Sequence, residues 1–348
     1  MTAKTTKGFI AEENLRSYFL WLGYYVLRGV KLKRGEIDLT DIDLLLFGRT
    51  SPLSRERINV DSKNKKTPQA AERIFFANGI KNTFKYDHCI VATTSNSVQI
   101  SSFAEEHNIT FLDGNFLKKL SVYSGKYDRI SEDELIFSIK QDSVGKSVYN
   151  YANAYEISKS RLAFKIDFST VSELLSDCRS FALSTIKDFA LREPLCRCFY
   201  FCLSLFLISL DFVNKDLVVL TDSEREKRIL DGFMFGSLGK NGSAAFIDKA
   251  FSVVKPFLSI DDTEIIFAKK TINDAYLSLD AKILSEFFST TSTIKDLFKH
   301  AKEFEQLAFA RQHTTPHELP PHLRSILFIL LDYFKIDRTF FVNVFKHP

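Results

Sequence analysis

Residues 57–66 read RINVDSKNKK, an alternating apolar segment that leads directly into a carboxylate and a lysine. The alternation predicts a strand, and residues two apart in a strand share a face, so Asp61 and Lys63 project to the same side. A second apolar run, DLLLF at 43–47, begins with a carboxylate. If the two segments pair as a hairpin, Asp43 approaches Asp61. The pattern predicts that Asp43 opens one strand and that Asp61 ends the next, at one end of a sheet.

The elements around these strands alternate between helical and strand patterns over the first 120 residues. We predict helices at 8–22, 69–84, 99–107 and 115–120, and strands at 24–32, 43–47, 57–63, 88–93 and 110–112. Thr67 and Pro68 have the residue types that favour the start of the second helix. The order α-β-β-β-α-β-α-β-α is typical of an α/β domain with a central mixed sheet.

The first predicted helix brings a further acidic residue, Glu12 or its neighbour Glu13, to the two strand carboxylates. Carboxylates that meet at one sheet end repel each other unless a cation sits between them. Ligand sets made only of oxygen suit Mg²⁺ or Mn²⁺, and such an ion neutralises a phosphodiester and lowers the pKa of a bound water. A lysine beside it orients that water or stabilises the developing charge. The alternative for Asp61 and Lys63 is a surface ion pair of little energetic consequence.

Asp43 with the tripeptide Asp61-Ser62-Lys63 resembles the PD-(D/E)xK nuclease superfamily. The resemblance covers residues 5–120 and includes the GFIAE segment of the first helix and the order of the elements. That order is similar to Holliday-junction resolvases and to Mrr-type restriction endonucleases. The stretch FAEEHNITFLDG at 103–114 is also similar to the end of Mrr-like domains. The resemblance implies a restriction-endonuclease-like fold for the N-terminal domain.

The same resemblance implies roles for individual residues. Asp43 and Asp61 would bind Mg²⁺ or Mn²⁺ through their carboxylates, the Ser62 carbonyl would add a ligand, and Lys63 would position the attacking water. Glu12 would complete the site from the first helix, directly or through water. Gln69 and Glu13 are possible accessory residues.

Positive charge is concentrated in the N-terminal third. Residues 1–125 carry 18 Lys+Arg and 13 Asp+Glu, whereas the whole chain has a net charge of only +4. Cations near the predicted site favour a polyanionic partner, DNA, because phosphate contacts give affinity that is independent of base sequence. The predicted contact residues are Lys31, Lys33, Arg34, Lys65, Lys66 and Arg73. The alternative is a solvated face, since acidic residues are interspersed among them.

The remainder of the chain reads as mostly helical and contains no motif that names a chemistry. We divide the chain into a nuclease-like domain at 1–125, a linker or adaptor at 126–150, and an all-α domain at 151–348. Helices are predicted at 171–191, 194–213, 243–257, 272–289, 293–309 and 321–334. The all-α domain could bind DNA or a protein partner, or mediate dimerisation. The resemblance makes a homodimer reasonable, because cleavage of both strands commonly needs two active sites.

Other candidate sites have simpler interpretations. The 13 residues at 198–210 carry no charge, but a membrane span needs about 18 or more apolar residues. We therefore expect a buried helix here, and a membrane-associated segment is the alternative. Cys196, Cys198 and Cys202 lack a second zinc-type pair and read as core cysteines. His313, His317 and His322 read as solvated loop histidines, and the glycine-containing stretch at 232–242 as a flexible loop that does not match a P-loop.

The sequence thus predicts a divalent-metal-dependent DNA endonuclease. Its setting would be restriction or defence against foreign DNA, or else repair or recombination. A cytoplasmic location is expected, because the first residues do not read as a secretory leader and no disulfide framework is evident. Two alternatives belong to other classes: a catalytically inactive nuclease-fold scaffold that binds protein or DNA, and a membrane-associated effector.

Overall fold

The computed structural model describes residues 7–34, 37–65, 69–120, 129–140, 150–257, 261–277 and 280–346. Within these ranges the chain forms one five-stranded sheet near the N-terminus, flanked by helices, and a mostly helical C-terminal region. The mixed α/β sheet and the helical C-terminal region are therefore confirmed.

The strands lie in the sheet in the order in which they occur along the chain. They are β1 (Tyr25–Arg34), β2 (Ile37–Ser51), β3 (Ser54–Lys63), β4 (His88–Thr93) and β5 (Thr110–Leu112). Strands β1, β2 and β3 pair antiparallel, whereas β3, β4 and β5 pair parallel. The prediction that Asp43 opens its strand is wrong, because β2 begins at Ile37. Residues 37–41 are exposed or half-buried, although Ile37 and Leu39 are apolar, and they extend a long hairpin with β1.

Four helices cover the sheet near the N-terminus. They are α1 (Lys7–Trp21), α2 (Ala70–Phe84), α3 (Val98–Glu106) and α4 (Gly114–Lys119). Apolar residues of α1 and α4 pack on one sheet face, and those of α2 and α3 pack on the opposite face over β4. Gly23, with φ of 101°, follows α1 and turns the chain into β1. Gln69 is the N-cap of α2, while Thr67 and Pro68 lie outside the described residues.

Eleven further α-helices follow in the described part of the chain. They are α5 (Glu132–Lys140), α6 (Tyr151–Arg161), α7 (Phe168–Lys187), α8 (Arg192–Asn214), α9 (Asp222–Phe235), α10 (Gly239–Val254), α11 (Asp262–Leu277), α12 (Ala281–Phe288), α13 (Thr291–Phe309), α14 (Pro321–Tyr333) and α15 (Arg338–Asn343). Helix α5 occupies part of the segment predicted as a linker. The single helix predicted at 272–289 is wrong, because two helices, α11 and α12, cover that region. The loop predicted at 232–242 is also wrong: α9, a 3₁₀ turn and α10 occupy it.

The β1–β2 half of the sheet packs directly on α8, so one apolar core includes residues of both parts of the chain. The Tyr25 and Ser204 hydroxyls lie 2.8 Å apart, and the Phe47 and Phe212 ring centroids lie 5.6 Å apart. This packing holds β2, which carries Asp43, against the centre of the helical region.

Helix α8 is the helix predicted to be buried. It has 23 residues and a mean hydropathy of 1.8 in its most apolar window, so its length and composition suit a membrane span, but 94% of that window is buried inside the fold. Cys196, Cys198 and Cys202 lie on it and are buried, as expected for core cysteines. Burial raises the pKa of each of these thiols, which favours the neutral form.

Candidate active site

Strands β2 and β3 separate at the point where the predicted carboxylates lie. The last pair of this ladder is Leu44 with Val60, and Asp43 and Asp61 are the next residues on the two strands. Strand β3 continues beyond this point in parallel pairing with β4. The Ser62 amide donates a 2.6 Å hydrogen bond to Asp43 Oδ2. The Asp43 side chain therefore caps the end of the β2–β3 ladder and lies next to Asp61.

A local change in β1 and β2 surrounds Asp43. The β1–β2 register omits the pair formed by Asp43 and Gly29, and Gly29 adopts φ of 57°. Ile42 and Leu44, which flank Asp43, belong to apolar clusters on opposite faces of the sheet. Residues two apart in a regular strand share a face, so the strand rotates at Asp43. A side chain at Gly29 would strain this turn, because a positive φ is unfavourable for residues with a Cβ.

Five contributions act on the pKa of Asp43. Burial raises it most, the hydrogen bond from Ser62 lowers it, and the charge of Asp61 raises it further. Lys63 and Arg73 lower it through their positive charges. The charge of Asp61 thus disfavours the charged form of Asp43, as expected where a cation would sit between two carboxylates.

Helix α1 adds Glu12 to this group. Burial raises the Glu12 pKa, and the charge of Asp43 raises it further. Glu12 Oε2 lies 3.5 Å from Arg28 Nη1, whereas Glu13 is bound by Arg16 and by Arg28 Nε at 3.0 Å. Of these two neighbours, Glu12 is the one whose pKa responds to the charge of Asp43, whereas Glu13 is held by two arginines.

Asp61 is held by an arginine from α2. Arg73 Nε donates to Asp61 Oδ2 at 2.6 Å, and Arg73 Nη2 donates to Oδ1, so both carboxylate oxygens are engaged. Asp61 is only 5% exposed, and its hydrogen bonds raise the pKa of Arg73. Asn59 Nδ2 ties β3 to α2 by donating to the Ala77 carbonyl at 3.1 Å, which keeps Arg73 above the strand. The sequence suggested Arg73 as a DNA contact; in the structure its partner is Asp61.

Lys63 lies two residues after Asp61 and is half-buried. Its charge lowers the pKa of both Asp43 and Glu12. In contrast to Arg73, its ammonium forms no hydrogen bond or ion pair with any residue in the described ranges. Gln69 is exposed and donates to Glu72 Oε1 at 3.0 Å, so its side chain is engaged at the start of α2.

The donor chemistry of Glu12, Asp43 and Asp61 fits Mg²⁺ or Mn²⁺, because all three are carboxylates and carboxylate oxygens are the ligands that these ions prefer. The three groups are not yet gathered around one point. In the described part of the chain, one group of three acidic or histidine side chains has its ligand atoms within 4.8 Å of one another, and that group lies on α13 and α14, not at the sheet. Because Arg73 engages both oxygens of Asp61, an ion at Asp61 would compete with Arg73.

A cleft of about 980 Å³ borders this site through Arg28. Its lining includes Lys31 and Lys33 of β1 and, unforeseen from sequence, Lys159, Arg161 and Lys165 of the helical region. Several of these cations have a carboxylate partner, such as Lys33 with Asp38 at 3.0 Å, so the positive charge is partly compensated. Lys65 is exposed after β3, whereas Lys66 and the Arg34 side chain lie outside the described residues.

The sequence matches no known family model, no curated protein and no solved structure. The function is therefore inferred from the residues and their arrangement.

Proposed function

We propose that this chain is a divalent-metal-dependent endonuclease of the PD-(D/E)xK type that hydrolyses phosphodiester bonds in DNA. The observation that carries this proposal is the position of Asp43 and Asp61, each the first residue beyond the last β2–β3 pair, with Lys63 two residues further along β3. An arbitrary DSK tripeptide would not be expected to meet a second acidic residue at the point where two strands separate. The restriction-endonuclease-like identity of the sheet is part of the same proposal.

In this proposal, three carboxylates hold the ion and a lysine orients the water. Asp43, Asp61 and the Ser62 carbonyl would hold Mg²⁺ or Mn²⁺, and Glu12 would hold it directly or through water. The ion, when bound, polarises the phosphate and lowers the pKa of a bound water. Lys63 has no competing partner in the described ranges and would orient the attacking water. The oxygen of water would form a new bond to phosphorus as the P–O bond to the leaving strand end breaks; the water would release a proton to solvent, and the leaving oxygen would take up a proton from solvent.

Arg73 would act as the cation of the site before the ion arrives. Its guanidinium neutralises Asp61, which is buried and would otherwise be an unpaired charge. When Asp61 turns to an ion, Arg73 loses its partner and is available to a phosphate oxygen of the substrate. Arg73 would thus contact DNA as a consequence of ion binding.

The cleft bordered by Arg28 is the proposed path of the DNA backbone. Lys31 and Lys33 are exposed on β1 and line it together with cations of the helical region. The proposal includes a homodimer in which two sites act on two strands, a role for the helical region in binding a partner or DNA, and a cytoplasmic setting in defence or repair.

A second candidate function is a catalytically inactive scaffold that binds DNA or protein. One observation favours it: both oxygens of Asp61 are engaged by Arg73, and the three carboxylates do not surround a common point. A permanent ion pair of this kind would simply fasten α2 to β3. Divalent-ion binding at the carboxylates separates the two functions.

The test is cleavage of supercoiled plasmid by the full-length protein with Mg²⁺ or Mn²⁺. We expect nicking or linearisation that Lys63→Ala and Asp43→Asn abolish. Lys119→Ala is the matched control, because it removes the same charge from an exposed position of α4 that has no predicted role, and it should retain cleavage. Folding of each variant is checked by its denaturation midpoint.

An inactive wild-type protein on plasmid, single-stranded DNA, branched DNA and RNA, combined with no divalent-ion binding, would refute the enzyme and favour the scaffold. Cleavage that survives in both site variants would mean that the site lies elsewhere.

A further inference from the structure

A second cluster of ligating side chains lies in the helical region, away from the carboxylates of the sheet. His300 and Glu303 occupy successive turns of α13, and His322 lies in the first turn of α14. His300 Nδ1 lies 2.9 Å and His322 Nε2 lies 3.1 Å from the same oxygen, Glu303 Oε2. The two imidazole rings have centroids 5.0 Å apart. Three ligand atoms from two helices therefore converge within 4.8 Å of one another.

We propose that His300, Glu303 and His322 bind a transition-metal ion, with Zn²⁺ the best match. Two imidazole nitrogens and one carboxylate oxygen form a donor set that suits Zn²⁺ and does not suit Mg²⁺, which prefers oxygen ligands. Three protein ligands leave a fourth position for water or another ligand. This site is independent of the nuclease proposal and of the oxygen-only set at the sheet.

The dimensions of the cluster fit this ion. Ligand atoms about 2.0–2.2 Å from a tetrahedral ion lie about 3.4 Å from one another. The observed contacts of 2.9 and 3.1 Å would need to lengthen by only a few tenths of an ångström. Rotation of the His322 side chain can supply this change, because that side chain is 45% exposed. The His300 side chain, only 11% exposed, would be the fixed ligand.

Without a metal ion, hydrogen bonds to Glu303 already hold the three side chains together. Each histidine nitrogen that faces Glu303 must carry a proton to donate to the carboxylate, and an ion would replace those protons. The cluster is therefore close to a ligating arrangement.

A positively charged groove meets the cluster at Glu303, and neither histidine lines it. Glu303 lines a groove of about 450 Å³ together with Arg49, Lys295, Lys299 and Lys302. Lys299 Nζ lies 3.9 Å from Glu303 Oε1, the oxygen that the histidines do not use. An anion in this groove would be a natural fourth ligand. His300 and Glu303 lie on α13 and His322 lies on α14, so an ion bound to all three would fasten α13 to α14.

The test is titration of metal-stripped, full-length protein with ZnCl₂ by calorimetry and with CoCl₂ by visible absorption. We expect one tightly bound equivalent and intense Co²⁺ bands typical of four-coordinate nitrogen and oxygen ligation. His322→Ala should weaken binding at least about 100-fold, as should His300→Ala. His317→Ala is the matched control, since His317 is exposed in the same region and lies outside the cluster.

Two further variants keep the test decisive. If His300→Ala does not fold, the exposed His322 still permits His322→Ala and His322→Gln to be measured. An Asp43→Asn, Asp61→Asn double variant should retain the Zn²⁺ equivalent, which excludes binding at the sheet carboxylates. Binding that is equal in wild type and His322→Ala, or no bound equivalent in wild type, would overturn the proposal.

Discussion

Replacement of Arg73 by methionine tests how the charge of Asp61 is balanced. The substitution keeps an unbranched side chain beside Phe76, whose ring centroid lies 4.4 Å from the guanidinium carbon, but it removes the cation. Asp61 is 5% exposed and would lose both hydrogen bonds from Arg73. Loss of one partner of a buried ion pair costs about 3–5 kcal/mol. Since the Arg73 side chain is 22% exposed and water can reach the pair, we expect about 2–3 kcal/mol.

Divalent ions should reverse much of this loss. An ion at about 100 times its dissociation constant stabilises the folded state by about 2.7 kcal/mol. In wild type, the cost of separating Asp61 from Arg73 offsets part of this free energy of ion binding. In Arg73→Met, Asp61 has no arginine to release, so this cost is absent. Mg²⁺ should therefore stabilise the variant more than it stabilises wild type, by about 1–2 kcal/mol.

The assay is urea denaturation with EDTA and with saturating Mg²⁺ for wild type, Arg73→Met, and Arg73→Met combined with Asp61→Asn. The extra Mg²⁺ gain should disappear in the double variant. Lys81→Met removes a charge elsewhere on α2 and should show no extra gain. Equal Mg²⁺ stabilisation of wild type and Arg73→Met would refute the idea that the arginine and the ion compete for Asp61.

Three further predictions concern the stability of the helical region. Asp211→Ala should cost about 3–5 kcal/mol in urea denaturation, because it leaves the fully buried Arg55 guanidinium without its carboxylate; a loss below about 1 kcal/mol would contradict this. Burial lowers the pKa of His313 from 6.5 to about 4, so the unfolded chain binds the proton first and stability falls by about 3 kcal/mol as the pH drops from 6.5 to 4. His313→Phe should lose this acid dependence in denaturation midpoints measured across that pH range, and an unchanged pH profile would exclude His313 as its source. Gly232→Ala should cost about 1–3 kcal/mol, because the new Cβ would overlap the Phe168 ring; a thermal midpoint equal to that of wild type would show that the ring moves aside freely.

The order of elements in the N-terminal part was predictable because each has a clear local pattern. The helix predicted at 69–84 is α2, Ala70–Phe84, and the strands predicted at 88–93 and 110–112 have the observed bounds. The extent of β2 was not predicted, since Ile37 and Leu39 are exposed and this part of the strand is held by its pairing with β1. Local pattern reports which side chains are buried, whereas backbone pairing of an exposed hairpin leaves little trace in the sequence.

The composition of the candidate site was predictable only in part. Asp43, Asp61 and Lys63 lie on consecutive strands, so a hairpin brings them together. The pairing of Asp61 with Arg73 depends on how α2 packs over β3, and helical periodicity does not fix that. His300 and His322 lie on separate helices, so the interpretation of His322 as a solvated loop residue was wrong. His313 also differs, because its ring stacks on Tyr200 and Phe345.

The charges around the sheet carboxylates imply that ion and substrate would bind together. Lys63, Arg73 and Arg28, which Glu12 shares with Glu13, offset much of the charge of Glu12, Asp43 and Asp61 without a ligand. A divalent ion alone would add positive charge to a half-buried site that already holds these cations, and a phosphodiester would relieve part of it. Under the proposed nuclease function, Mg²⁺ should therefore bind weakly to the protein alone and at least about 5-fold more tightly with DNA, and DNA affinity should rise with Mg²⁺ by the same factor. The Lys63→Met variant, which we expect to be catalytically inactive, leaves the carboxylates in place. Calorimetry with this variant measures the Mg²⁺ affinity with and without DNA, and the DNA affinity with and without Mg²⁺. Because that variant lacks one cation, ion binding that is independent of DNA in both Lys63→Met and wild type would contradict the charge argument.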